Sequence, residues 1–342
     1  MGSREVLLER AVEDSQQQAA QAELAARRWP VAPARYTGTA AHVASTANSA
    51  AVARQTTLSD AQLARYAVTA LIEEAQLTPK PALVDRRGSG AHRDLDLATM
   101  LRSAHALEPT FAALARVARR RGEPSALLRT ELAQIGRAGE QDMLHATGGS
   151  NAHRGAIWIV GLLVAGASMP ASASGLNASH ACTLAAQIAC FPDRFAAPAD
   201  SHGERARQLY QVGGARREAK DGFPHVIDIG LPALLAARAG GVDENAARID
   251  ALLSIMVSLD DTCLLHRAGL PGLHAAQRGA RRVLHAGGSS TPDGHTALAA
   301  LEHDLLSLNA SPGGAADLLA ATLFLDMLAH HDASGSSASW NI

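Results

Sequence analysis

The chain has 342 residues, a formal net charge of −2 and a pI near 6.7, which excludes a generally basic surface for nucleic acid or anionic membrane. Its hydrophobic fraction is 47%, yet aromatics make up only 3%. That alanine- and leucine-rich balance favours close-packed helices over sheets. Cys182, Cys190 and Cys263 form no CxxC pair, so a reducing cytoplasm is expected and a disulfide framework is not.

Residues 1–57 differ from the rest. Glu, Gln and Ala dominate first, and a Ser/Thr/Ala-rich run without apolar periodicity follows. An N-terminal extension, partly helical or mobile, is expected there. The charged start lacks an apolar signal core. The folded body is expected over 58–332, opened by the capping residues Ser59 and Asp60, with a flexible Ser/Gly-rich tail at 333–342. In the first helical pattern Leu63, Ala67, Ala70 and Leu71 form a stripe, and Glu74 falls on it. Glu74 is either a helix-end residue reaching water or an acid aimed into a site.

Residues 77–96, LTPKPALVDRRGSGAHRDLD, are the least ordinary stretch. Pro79 and Pro81 stop the helix and pin Lys80 in an extended turn. Asp85, Arg86, Arg87, a Gly-Ser-Gly, His92, Asp94 and Asp96 follow. A stiff loop so dense in both charge signs is costly to fold unless it binds something; a solvated inter-helix loop is the alternative. Helical patterns return at 97–107 and at Ala126–Ala146, with a basic run at 116–121 read as a solvated face. Then ATGGSNAHRGAIW places Asn151, His153 and Arg154 just before an apolar helix. Free amides at that helix start, with Arg154, would suit an anion; a cap with a polar rim is the alternative.

The apolar segment AIWIVGLLVAGA is too short to span a bilayer, so two buried helices joined by small residues are expected between 155 and 192. Residues 193–225 carry Arg216, Arg217, Glu218, Lys220 and Phe223 beside glycine and proline. A helix is expected over 244–265. Its stripe of Ile249, Leu253 and Met256 puts Asp260 on the core face, where a carboxylate is costly unless paired or bound to metal. Asp261 and Arg267 follow closely. Ser311, Pro312, Gly313 and Gly314 form a turn with free amides leading into a helix with Asp317.

Five polar loops at successive helix ends suggest one charged pocket in an all-α domain. Five segments, TPKPALVDRRGSGAHRDLD, GGSNAHRGAIW, GARREAKDGFP, DDTCLLHR and SPGGAADLLA, resemble in this order the triphosphoribosyl-dephospho-CoA synthase family. The resemblance covers roughly 60–330. RRGSGAH with NAHRGAIW is most similar to the malonate decarboxylase branch and less so to the citrate lyase branch. Ala82 stands where the family often has glycine, Ala152 where it has threonine, and Arg217 where it has glycine.

The resemblance implies a compact multi-helix domain with its active site at helix ends. The implied reaction joins ATP to 3′-dephospho-CoA, giving 2′-(5″-triphosphoribosyl)-3′-dephospho-CoA and adenine. The product would pass to the enzyme that attaches it to an acyl-carrier subunit, and no nucleic acid or membrane is involved. Lys80, Arg154 and Arg216, with Mg²⁺ on Asp260 and Asp261, are expected to hold the triphosphate. Asp85 and Glu74 are expected to face developing positive charge, and His92, His153 and Glu218 to move protons. Arg86, Asn151, Phe223, Arg267, Ser311, Gly313, Gly314 and Asp317 complete the expected substrate contacts. Asp85→Asn is expected to abolish adenine release with little loss of stability. Two other classes stay open: a helical metal-dependent phosphohydrolase, suggested by His303-Asp304 and His331-Asp332, and a non-catalytic helical binding module.

Overall fold

The computed structural model describes residues 58–170, 178–196 and 201–337. The expected extension at 1–57, the small-residue connection at 171–177 and the end of the tail lie outside them. Among the described residues every regular element is helical. The helices are α1 (Asp60–Gln76), α2 (Leu97–Ala106), α3 (Glu108–Arg121), α4 (Ala126–Ala146), α5 (Arg154–Ser168), α6 (Ala178–Cys190), α7 (His202–Tyr210), α8 (Gly214–Lys220), α9 (Leu231–Ala239), α10 (Glu244–Ser258), α11 (Thr262–His285), α12 (Pro292–Ser307) and α13 (Gly313–Ser337). A short π-helical segment, His225–Gly230, leads into α9. None of these helices is long and apolar enough to cross a membrane.

Among the described residues, helix α5 and the apolar stretch Leu318–Leu325 of α13 form the middle of the packing because they bury side chains on nearly every side. Ile159, Val160, Leu163 and Val164 of α5 are buried, as are Leu319, Ala320, Leu323 and Phe324 of α13. Each such Leu or Phe contributes about 1.5–3 kcal/mol by leaving water. Around this pair pack α1, α3, α6 and α10. Small residues set the spacing: a Cβ on Gly161 would lie 2.9 Å from Leu114 of α3. The N-terminal ends of α5 and α13 therefore meet near the centre, and the loops 77–96 and 259–261 close over them.

One expectation needs correction. The helix expected over 244–265 ends at Ser258; Leu259 is extended, and Asp261 caps a new helix. The Asp261 carboxylate accepts from the amides of Cys263 at 2.8 Å and Leu264 at 3.4 Å, and this local bonding competes with helix continuation. Asp260 thus sits in a turn, not on a helical stripe. The basic run of α3 is a solvated face as expected, with Arg116, Arg120 and Arg121 exposed; Arg119 pairs there with Asp60 at 2.8 Å and Arg121 with Glu131.

Candidate active site

One cavity of about 1400 Å³ opens among the ends of α1, α4, α5, α8, α11 and α13, larger than the 300–1,000 Å³ typical of a single-ligand pocket. All the expected site residues line it except Asp85, Arg86 and Phe223.

At its floor Lys80 is only 1% exposed, and its Nζ donates to Glu74 Oε1 at 2.5 Å. Glu74, from the last turn of α1, is equally buried. Such a pair holds two side chains in one place, although its desolvation offsets much of its attraction. Asp85 shapes the loop behind it. Its carboxylate accepts from the Lys80 amide at 3.0 Å, the Arg87 amide at 2.7 Å and Arg87 Nε at 2.9 Å. Arg87 extends the tie to Glu302 of α12. Asp85 is therefore spent on holding the loop and does not face the cavity. Arg86 bonds the carbonyl and side chain of Gln76. Phe223 is buried in the core at φ 62°, not presented for stacking. Ala82 adopts φ 57°, a left-handed conformation that favours glycine.

The start of α5 carries the second group. His153 is 3% exposed; its Nδ1 bonds Ser103 Oγ at 2.7 Å, while its Nε2 has no partner. Burial, aided by the Lys80 charge, lowers its pKa to about 3, so the ring is neutral near pH 7. His92 bonds Ser311 Oγ at 2.9 Å, and burial with the Arg267 charge lowers it to about 4. Arg267 itself ties the carbonyls of Ala91 and Asn309 together. The anion expected at the start of α5 is supplied by the protein: Asp317 accepts from the Ala156 amide and packs against Gly155. Burial, then the charges of Glu74 and Asp261, raise Asp317 well above the ordinary aspartate value. Asn151 caps Arg154 N at 3.2 Å, and the Arg154 guanidinium pairs with Glu140.

Besides capping α11, Asp261 accepts from Ala315 N at 2.9 Å and from the Gly314 amide, so two of the amides expected to be free at the start of α13 are taken by this carboxylate. Its pKa is raised by burial against the pull of these amides. Asp260 remains half-buried at the cavity wall and is likewise raised by burial. Glu218, in α8, is held by His225 Nδ1 at 2.8 Å and by the His225 amide. The cavity also takes in residues that sequence reasoning missed: Asp94, Arg129, Trp158, Glu204 and Arg207. Arg129 lies within an ordinary amphipathic helix, and no local signal marks it.

Among the described residues, neither the His303-Asp304 pair nor His331 lines the cavity. His303 is exposed, Asp304 pairs with Arg282 at 3.2 Å, and the His331 ring lies against Tyr66. Among the described residues no three His, Cys, Asp or Glu side chains gather as a metal cluster would require.

The arrangement is that of a helical enzyme in which one cavity gathers arginines, a lysine and buried carboxylates, a lining that suits phosphate-bearing substrates. Residues 60–336 match the family model described as CitG, ATP:dephospho-CoA triphosphoribosyl transferase. The chain is 58% identical over 268 residues to a probable 2-(5″-triphosphoribosyl)-3′-dephosphocoenzyme-A synthase of Azotobacter vinelandii, covering 78% of this chain and 91% of that one. It is 54% identical over 268 residues to the 2-(5″-triphosphoribosyl)-3′-dephosphocoenzyme-A synthase of Klebsiella pneumoniae, covering 78% and 94%. No solved structure matches the chain. The chain belongs to the ATP:dephospho-CoA triphosphoribosyl transferase family.

Proposed function

We propose that this enzyme makes 2′-(5″-triphosphoribosyl)-3′-dephospho-CoA for the acyl-carrier subunit of malonate decarboxylase, with the cavity as the reaction chamber. The supporting observation is that Glu74, Lys80, His153, Arg216, Asp260 and Asp317, far apart in sequence, line one space. Its size suits two nucleotides side by side. The RRGSGAH and NAHRGAIW segments favour the malonate branch over the citrate lyase branch.

In the reaction the ribose C1–N9 bond of ATP breaks and its electron pair leaves with adenine. The 2′-hydroxyl oxygen of dephospho-CoA forms the new bond to C1 and gives up its proton. Glu74 and Asp317 face the cation-like C1. Asp317, its proton held by burial, gives that proton to the departing adenine and recovers one from the hydroxyl; a carboxylate whose pKa is raised by burial suits both transfers. His153, neutral near pH 7, is a poor base there, and its unpartnered Nε2 supplies a hydrogen bond to substrate instead.

Asp260 on the cavity wall would hold a magnesium ion, which would supply positive charge against the phosphates. Such an ion takes one or two carboxylates beside phosphate oxygens. Asp260 fits that need, whereas Asp261 is engaged by amides.

Mass spectrometry after incubation with ATP, Mg²⁺ and dephospho-CoA tests the reading. Free adenine and the triphosphoribosyl adduct are expected; ADP or inorganic phosphate with no adenine would refute it.

A further inference from the structure

Among the described residues Arg129 is a cation without an anion. It stands in the first turns of α4, 8% exposed, and its Nε has no hydrogen-bond partner. Among the described residues no carboxylate reaches ion-pairing distance of it. Its guanidinium carbon lies 4.9 Å from the centre of the Trp158 ring, which stabilises the charge but neutralises nothing. A buried guanidinium in this state is unfavourable unless something else completes it.

Its surroundings are short of negative charge. Asp193, which draws on Arg129 electrostatically, is committed to Arg137 at 2.7 Å. Glu204 is held by Arg207 at 2.5 Å, leaving Arg216 at 3.9 Å and 60% exposed. Four guanidiniums, Arg129, Arg137, Arg207 and Arg216, thus face two carboxylates, Asp193 and Glu204. All six line the cavity. Trp158 links the group, because its indole N–H donates to the Ala215 carbonyl at 3.0 Å and so fixes the backbone beside Arg216.

We infer that Arg129, laid on Trp158 and assisted by Arg216, is a binding site for a di- or triphosphate group of the substrates. The planar fork of arginine matches phosphate oxygens, and the indole holds that fork in place before the ligand arrives. The inference rests on the proposed function only for the identity of the two candidate ligands, ATP and dephospho-CoA, each of which carries linked phosphates.

Calorimetric titrations of wild type, Arg129→Met and Arg129→Lys with tripolyphosphate, ATP and dephospho-CoA test it. Arg129→Met is expected to weaken tripolyphosphate binding by about 10- to 100-fold, the worth of a charged hydrogen bond or two. Its ligand-free Tm should equal or exceed that of wild type, since a lone buried charge has been removed. Loss confined to ATP assigns the triphosphate, and loss confined to dephospho-CoA assigns the coenzyme pyrophosphate. Unchanged affinity for all three ligands overturns the inference. Should Arg129→Met fail to fold, Arg129→Lys decides: binding weakened several-fold at unchanged Tm supports the site, and wild-type affinity overturns it. Adduct formation is followed in the same wild-type samples. Adduct with unaltered variant affinity overturns this inference alone; absent adduct with weakened tripolyphosphate binding overturns the functional reading alone.

Discussion

The carboxylate of Asp317 fills the space that a side chain on Gly155 would occupy. Helix α5 begins there, so the closeness lets an α13 carboxylate accept from the Ala156 amide and meet the favourable end of the α5 dipole. Gly155→Ala should push Asp317 aside while α5, which favours alanine over glycine, stays helical. Displacing a reacting group by about 1 Å can cost on the order of 100-fold in rate. The expected result is an unchanged circular dichroism spectrum with adenine release cut by about that factor. Wild-type turnover in this variant would remove Asp317 from the reaction.

The Lys80–Glu74 pair predicts non-additive stability. Glu74→Gln leaves a buried ammonium alone and Lys80→Met leaves a buried carboxylate alone; breaking one side of such a pair costs about 3–5 kcal/mol. The double variant should be more stable than the sum of the two single losses implies. Urea midpoints of the four proteins measure this coupling. Additive losses would mean that the two charges do not support each other.

Asp85→Asn is now expected to lower stability as well as activity. The carboxylate organises the Lys80 amide, the Arg87 amide and the Arg87 guanidinium, and an amide cannot accept at both positions. Loss of a charged, buried acceptor costs about 1.5–3 kcal/mol. Thermal unfolding should show the drop; an unaltered Tm with activity abolished would restore the direct role expected from sequence.

Stability should depend on pH through Asp317 and His153 in opposite senses. Asp317 has a folded pKa above its usual 3.8, so the native state binds that proton more tightly. Its contribution is fully present below the unfolded value and is lost as pH rises through the raised one. His153 has a folded pKa of about 3 against 6.5, so its contribution is present above 6.5 and is lost as pH falls toward 3. Asp317→Asn should therefore flatten the alkaline decline, and His153→Asn the acid one. Urea midpoints between about pH 4 and pH 9 test this; curves parallel to wild type would contradict the assignment.

The helical class, most of the places where helices break (the break after Ser258 excepted) and part of the cavity lining were legible in the chain itself. Proline, glycine and capping residues act within a few positions, so TPKP, GGSN and SPGG announce helix ends without reference to the rest. The roles of the charged residues were not legible, because a role depends on which partner arrives from elsewhere. Asp85 read as a reactive acid and Asp261 as a metal ligand; packing brings their neighbours' amides onto both. Asp317 read as a contact residue until burial beside Glu74 made it the acid able to hold a proton. Arg129 was invisible, since a guanidinium on a helix is ordinary until tertiary packing buries it on Trp158 with no carboxylate of the described residues paired to it. Local sequence sets where the backbone turns, whereas desolvation and pairing belong to the packed molecule and exist only once distant segments share a wall.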